Sequence, residues 1–173
     1  SIGDAVLSAS MLRPVSAKFN KSKIHVVCQH NLRSFYEASP YVDKVIDFEE
    51  KRLINSPNYR EKLMEQIIKN NYKLSLNSVR SPTNITDFFQ EHNGAAYKTN
   101  FNSSVGSFST PRLELESHKD FINSLGCASG PLTPTIWIPD ACALFAEKLF
   151  TNHNLDPSRT VVLAPGVQKS PYW

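Results

Sequence analysis

Hydrophobic residues in the first part of the chain follow two different periods. From Asp4 to about Phe19 they recur every three or four positions, which predicts an amphipathic helix with Asp4 as its N-cap and a kink near Pro14. The next hydrophobic segments are short runs rich in β-branched residues, KIHVVC (23–28) and KVIDF (44–48). Such runs are typical of buried strands, and a short helix is expected between them.

The alternation of helical and strand patterns continues to the end of the chain. The further predicted elements are a helix from Pro57 to about Asn71, a strand over 72–77, a helix over 85–92 capped by Thr83 or Asn84, a strand near 95–98, a helix over 118–125 closed by Gly126, an extended edge segment over 134–139, a helix capped by Asp140 and a strand over 160–166. Strands that alternate with helices indicate βαβ units. The sequence therefore predicts an α/β fold with a mostly parallel, Rossmann-like sheet and helices on both faces.

The first predicted helix has no strand before it, although a helix of a doubly wound sheet normally follows one. The last predicted strand and turn likewise lack the helix that they would normally feed. We therefore expect the chain to be the middle of a longer polypeptide. We also expect the sheet edge beside the absent strand to be exposed unless something covers its unpaired backbone groups.

Composition narrows the class of protein. A chain of 173 residues with 40% hydrophobic and 20% charged residues is typical of one globular domain, or of one domain and the start of another. The net charge of +3 comes from 19 basic and 16 acidic residues that are mixed along the chain, which does not favour nucleic-acid binding. The 3 cysteines lack the spacing of a zinc site or a disulfide framework, so a reducing compartment is the simpler interpretation.

Open α/β sheets bind ligands beyond the carboxyl ends of their strands, and this rule selects four polar clusters as the candidate site. These clusters are residues 1–4, 29–31, 77–81 and 165–169. Asp4 is a helix cap in one interpretation, and in the other a carboxylate at the cleft that takes a proton from a substrate hydroxyl. Arg80 likewise has two interpretations. It binds an anionic group of a substrate, or it is a solvated side chain in a loop.

The segment after the last predicted strand has the composition of a phosphate site. Gly166 offers backbone N–H groups in a turn and Lys169 offers a cation, although a Pro-Gly pair is equally typical of a plain turn. The GxGxxG, GxxxxGK[ST], HExxH and GxSxG motifs do not occur in the sequence. His25 is predicted to pack inside a strand, whereas His30 is better placed for function but has no carboxylate that the sequence pairs with it.

Several segments, in their order and spacing, resemble glycosyltransferase family nine, the family of the bacterial lipopolysaccharide heptosyltransferases. SIGDAVLSASMLRPVSAKFNKSKIHVV (1–27) resembles the opening of the family, in which a strand leads into Ser-x-Gly-Asp, a helix, a short turn and a second strand. SPYVDKVIDF (39–48) resembles its Asn-Pro-x-Val-Asp-x-Val-Ile segment. Later segments resemble the family in the same order: NNYKLSLNSVRSP (70–82), SHKDFINSLGC (117–127), PTIWIPDACALFAEKLF (134–150) and TVVLAPG (160–166). The resemblance spans nearly the whole chain.

The resemblance implies the N-terminal domain of a GT-B glycosyltransferase. Residues 1–136 would form its Rossmann-like, acceptor-binding domain, and residues 137–173 a linker helix and the start of the nucleotide-sugar-binding domain. The implied reaction is the inverting transfer of a sugar from a nucleotide-diphosphate sugar to a lipid-linked lipopolysaccharide core. The expected sugar is heptose and the expected donor is ADP-heptose. This reaction needs no metal or other cofactor. The resemblance also implies a cytoplasmic enzyme that is peripheral at the inner membrane.

The resemblance matches Asp4 to the family's general base. Our hypothesis from the polar clusters places Gly3, Asn31, Asn77, Arg80 and Ser81 on the acceptor side. The donor side comprises Gly166, Gln168 and Lys169, with Lys169 four positions before Trp173 where the family carries a basic residue one or two positions before its Trp. We expect the chain alone to be inactive, because most of the donor side would follow Trp173. A family member that uses another nucleotide sugar and a non-catalytic α/β binding or assembly module are the alternatives.

Overall fold

A computed structural model describes residues 2–79, 83–101, 113–127 and 130–163. Its contacts divide the chain into two compact units, Ser1–Trp137 and Ile138–Trp173. In chain order, the elements are α1 (Ile2–Ala9), α2 (Leu12–Lys18), β1 (His25–Gln29), α3 (Arg33–Glu37), β2 (Lys44–Phe48), α4 (Glu50–Asn55), α5 (Pro57–Ile68), β3 (Leu74–Asn77), α6 (Asn84–His92), β4 (Tyr97–Asn100), α7 (Glu114–Ser124) and α8 (Asp140–Asn152), with a short 3-10 turn over His30–Leu32.

The strands form parallel pairs, as the sequence predicts. β1 pairs with β2, with His25 opposite Lys44, and β3 pairs with β4, with Leu74 opposite Tyr97. Within the described ranges these pairs are separate two-stranded sheets rather than parts of one sheet. The α/β class with parallel strands is therefore confirmed and is compatible with a Rossmann-like arrangement.

Helices cover both faces of the strands, which is the usual environment of parallel sheets. On one face, a cluster joins α1 and α3 to β1 through Ala5, Ala9, Tyr36 and Cys28. On the other face, a cluster joins α5 to β2 through Leu63, Met64, Ile67, Ile46 and Phe48. A third cluster joins α2 to α7 through Met11, Val15, Phe121 and Ile122. The core thus lies in two layers, above and below the strands.

The single helix predicted from Asp4 to Phe19 is wrong, because α1 and α2 are separated at Ser10. The break lies four positions before Pro14 rather than at the proline itself. A proline ring clashes with the carbonyl of the fourth residue before it and has no N–H to donate. The Ser10 hydroxyl instead donates to the Leu7 carbonyl at 2.5 Å, which closes the end of α1.

Two predicted N-caps are also wrong. Asp4 is the third residue of α1, and Asp140 is the first residue of α8, because the helical backbone begins earlier than the hydrophobic pattern shows. Pro139 has the extended φ and ψ values of a cap residue. The carboxylates of Asp4 and Asp140 therefore lie in the first turn of their helices, where the helix dipole favours a negative charge.

The segment over 134–139 and the described part of the segment over 160–166 are not strands. Val161, Val162 and Leu163 are more than 70% exposed. A hydrophobic run becomes a strand only where a neighbour can satisfy its backbone N–H and C=O groups, and among the described residues neither segment has such a neighbour.

Candidate functional site

A cleft of about 2250 Å³ runs along β1 and β3. Every residue of both strands lines this interstrand cleft, from His25 to Gln29 on one side and from Leu74 to Asn77 on the other. Side chains of α1 and α2 and side chains of α5 and α6 also line it. The cleft therefore extends from the amino ends of the two strands to their carboxyl ends.

Polar side chains collect where the strands end. Asp4, Gln29, Glu50, Asn77 and Ser78 all line the carboxyl end of the cleft. In open α/β folds this edge is the usual ligand site. Carboxylates and amides together supply the acceptors and donors that a ligand with several hydroxyl groups requires.

Asp4 is held at this edge by its neighbour in α1. Ala5 is only 4% exposed and packs in the same cluster as Cys28, near the carboxyl end of β1. The side chain of Asp4 is exposed and lines the cleft. A carboxylate in this position can accept a hydrogen bond or a proton from a hydroxyl group of a bound molecule.

Local hydrogen bonds fix two amides at the rim of the cleft. Asn77 Oδ1 accepts the backbone N–H of Val79 at 3.1 Å, which turns the chain after β3. Gln29 Nε2 donates to Glu50 Oε2 at 2.6 Å, which connects the end of β1 to the start of α4. The rim of the cleft thus combines residues at the ends of β1 and β3 with residues in the first turns of α1 and α4.

The structure brings together only part of the predicted set of site residues. Asp4 and Asn77 share the cleft, whereas Gly3 and Asn31 are exposed outside it. The remaining predicted site residues lie outside the described ranges: Arg80, Ser81, Gly166, Gln168 and Lys169. Gln29 belongs to the predicted cluster 29–31 and lines the cleft, whereas Glu50 is an addition that depends on the pairing of distant segments.

A second polar group, next to the ends of β1 and β2, corrects the prediction for His30. His30 Nδ1 lies 2.5 Å from Asp47 Oδ2, and Arg33 donates to Asp47 Oδ1 at 2.7 Å and to Glu37 Oε1 at 2.7 Å. The imidazole is therefore paired with a carboxylate. The sequence alone does not show this contact, because it depends on the register in which β1 pairs with β2. In that register Cys28 lies opposite Asp47.

These contacts and burial shift three pKa values. The hydrogen bond from His30, together with the Arg33 guanidinium, holds the pKa of Asp47 below its usual value. Burial raises the pKa of Cys28 to about 12, and the nearby charge of Asp47 adds to the effect, so this thiol is not a nucleophile near neutral pH. Burial, followed by the charge of Lys44, lowers the pKa of His25.

His25 has the packing role that the sequence predicts. Its Nδ1 lies 2.8 Å from the Tyr72 hydroxyl, and the two rings meet edge to face with centroids 5.4 Å apart. This contact connects the start of β1 to the segment before β3, at the amino end of the interstrand cleft.

The described residues contain no group of three or more His, Cys, Asp or Glu side chains that could hold a metal ion. In the same part of the chain, every helix is too short or too polar to cross a membrane.

Comparisons of the chain with protein-family models, with curated proteins and with solved structures found no match. The fold and the cleft themselves define the class. The protein is an α/β protein with parallel strand pairs between layers of helices and a polar rim at the carboxyl ends of its strands.

Proposed function

We propose that the chain is the acceptor-binding half of an inverting glycosyltransferase with the GT-B fold, related to the lipopolysaccharide heptosyltransferases. The observation that supports this proposal most directly is the exposed carboxylate of Asp4 on the rim of the interstrand cleft. Inverting transfer requires a base at the acceptor hydroxyl, and a carboxylate at the ligand-binding edge of a parallel fold is suited to that role.

In the proposed reaction, Asp4 takes the proton of the acceptor hydroxyl while the hydroxyl oxygen attacks the anomeric carbon of the donor. The bond between that carbon and the diphosphate breaks on the opposite face, and the nucleoside diphosphate leaves with the electron pair. We assign hydrogen bonds to other hydroxyl groups of the acceptor to Asn77 and Gln29, which line the same cleft as Asp4. The sequence-based hypothesis gives the same role to Asn31, Arg80 and Ser81.

The charge that develops on the departing diphosphate needs a cation and backbone N–H donors. The proposal assigns this task to Gly166, Gln168 and Lys169 and to a nucleotide-binding domain beyond them. The donor is a nucleotide-diphosphate sugar, and ADP-heptose is the first candidate. The acceptor is a lipid-linked lipopolysaccharide core on the cytoplasmic face of the inner membrane. In this scheme catalysis needs no bound metal.

The test is a transfer assay on the natural full-length polypeptide that contains residues 1–173. The polypeptide is incubated with a deacylated core acceptor and, in separate reactions, with ADP-heptose and with a panel of other nucleotide sugars. We expect transfer from ADP-heptose, with inversion at the anomeric carbon detected by NMR. Transfer from another donor would correct the sugar but support the reaction class. No turnover, together with no calorimetric binding of any nucleotide sugar, would contradict the proposal and favour a non-catalytic binding module.

A further inference from the structure

His118, in the second turn of α7, contains a buried polar atom without a hydrogen-bond partner. The residue is 2% exposed, and its Nε2 atom has no partner in the part of the chain that the structure describes. Buried polar groups in native proteins are nearly always hydrogen-bonded, because an unpaired one loses its interaction with water and gains nothing in return. The unpaired Nε2 therefore indicates a partner that the described residues do not supply.

The other ring nitrogen fixes the chemistry of this partner. His118 Nδ1 lies 2.9 Å from the carbonyl oxygen of Glu114, one turn earlier in α7. A carbonyl oxygen only accepts hydrogen bonds, so Nδ1 carries the proton and is the donor. In the neutral ring, Nε2 then has a lone pair and is an acceptor. The missing partner is accordingly a donor, such as the hydroxyl group of a bound molecule.

His118 lies at the carboxyl end of the interstrand cleft. It lines the cleft together with Asp4 and Asn77. Its ring meets the ring of Phe101 edge to face, with centroids 5.7 Å apart. Phe101 directly follows Asn100, which lies opposite Asn77 at the end of the β3–β4 pair. The unpaired acceptor therefore belongs to a residue at the same end of the cleft as the polar rim.

Within the described ranges, one other buried side-chain atom, Ser117 Oγ, has no hydrogen-bond partner. Ser117 does not line the cleft, and nothing in the structure explains its unpaired hydroxyl group. A molecule in the cleft would meet the imidazole of His118 rather than that hydroxyl group.

We propose that His118 determines the specificity of the cleft, because its Nε2 accepts a hydrogen bond from a hydroxyl group of a bound saccharide. The inference rests on the proposed function for the class of ligand and adds a residue to its acceptor side. Nε2 is shielded from water, so the hydroxyl group reaches it when the side chains around the ring move apart. A site with a buried acceptor discriminates against ligands that lack the matching donor, since the acceptor then stays unpaired.

The alternative is that His118 only fills space against Phe101. The two explanations differ in the expected effect of an apolar side chain at this position. Leucine removes the unpaired acceptor, so under the proposal His118→Leu should retain or raise the Tm while it weakens ligand binding. If the ring only packs, the effect of the same variant should appear in the Tm and not in the affinity for a ligand.

The test measures the calorimetric binding of a deacylated lipopolysaccharide core to the full-length polypeptide that contains residues 1–173, together with its Tm. His118→Gln can place an amide oxygen near the position of Nε2, whereas His118→Asn keeps a donor to the Glu114 carbonyl but is too short to replace Nε2. We expect His118→Gln to bind the core within about threefold of the parent, and His118→Asn and His118→Leu to bind it about tenfold or more weakly. The Tm of His118→Leu should be at or above that of the parent.

His92, on α6, provides a matched control. Its Nδ1 also donates to the carbonyl oxygen one turn earlier, that of Phe88, at 2.9 Å, and its ring stacks on the ring of Phe88. His92 is exposed, however, and does not line the cleft. The same three replacements at this position should therefore leave the affinity for the core unchanged.

Nitrogen NMR of the His118 ring tests the hydrogen bond directly. Before the core is added, we expect a protonated Nδ1 and an unprotonated Nε2. Addition of the core should shift the Nε2 resonance much more than the Nδ1 resonance, because only Nε2 gains a partner.

Three results would overturn the inference: equal binding of the core by the parent and His118→Leu, no binding of the core by the parent, or an Nε2 resonance that the core leaves unchanged. None of these readouts involves sugar transfer, so the two proposals can fail separately. Binding of the core that depends on His118, in a protein that transfers no sugar and binds no nucleotide sugar, would contradict the proposed function alone. Sugar transfer with the same acceptor KM in the parent and His118→Leu would overturn this inference alone.

Discussion

Among single residues, Asp47 joins His30 and Arg33 in one polar group near the ends of β1 and β2. It accepts hydrogen bonds from both His30 and Arg33, and its side chain is 17% exposed. These contacts stabilise the ionised carboxylate and lower its pKa in the folded protein. The contribution to stability is therefore complete above the pKa of an unfolded Asp, about 4, and is lost as the pH falls through the folded pKa.

Asp47→Asn should lower the free energy of unfolding at pH 7 by about 1 kcal/mol, since the pair is only partly buried. The difference between this variant and the parent should shrink as the pH is lowered below about 4. Urea denaturation over a series of pH values measures both effects. Glu61→Gln, an exposed position on α5, is the control and should change stability little. A constant difference at all pH values would mean that the ionised carboxylate is not what stabilises the fold.

The three cysteines should differ strongly in reactivity. Cys28 and Cys127 are buried, and burial raises the pKa of both thiols, whereas Cys142 is exposed. Because the thiolate is the reactive form, maleimide at pH 7 should modify Cys142 alone in the native chain and all three after unfolding. Mass spectrometry of the labelled peptides gives the order in which the three cysteines react. Modification of Cys28 as fast as that of Cys142 would show that the packing of α1 on β1 is wrong.

At the scale of the elements, α6 depends on its N-terminal cap. Thr83 Oγ1 accepts the Thr86 N–H at 3.3 Å, and Thr86 Oγ1 accepts the Thr83 N–H at 2.7 Å. α6 in turn holds the second strand pair, because Gln90 Nε2 donates to the Thr99 carbonyl in β4 at 3.0 Å. Loss of the cap should therefore weaken the support of β3 and β4.

Thr83→Ala should cost about 1 kcal/mol of stability, as is typical of a lost N-cap. Thr83→Ser keeps the hydroxyl group and should retain most of the stability. Chemical denaturation gives the free energies, and amide exchange in 97–100 reports on β4. If Ala and Ser have the same effect, the hydroxyl group is not a cap.

Elements with local signals could be predicted from the sequence. KVIDF is β2 with the predicted bounds, Thr83 caps α6, and Gly126 follows α7 with a φ of 72°. β-Propensity, capping chemistry and glycine's access to positive φ are properties of a few adjacent residues. α4 was not predicted, because only Leu53 of this short helix is buried.

Features that depend on long-range pairing were not predictable. Asp47 meets His30 only because β2 pairs with β1 in one particular register. The same limit applies to the candidate site: Asp4 and Asn77 were selected from the sequence, but their shared cleft with Gln29 and Glu50 follows from packing. The segment over 160–163 has strand propensity and no strand neighbour among the described residues.

At the scale of the whole molecule, the strands of the unit Ser1–Trp137 lie between two helix layers, with an apolar cleft along β1 and β3 and a polar rim at its carboxyl end. In the proposed function, the acceptor binds at the rim of this cleft, which Asp4 lines. Catalysis would then depend on that carboxylate as the base for the acceptor hydroxyl.

The most direct measurement is therefore turnover of the full-length polypeptide carrying Asp4→Asn, with Asp140→Asn as the matched control in the first turn of another helix. Loss of a general base should lower kcat by roughly 100-fold to 10,000-fold, while the Tm stays within a few degrees and the control keeps its activity. An Asp4→Asn protein that transfers sugar at a rate close to the parent's would contradict the assignment of Asp4 as the base and with it the central claim.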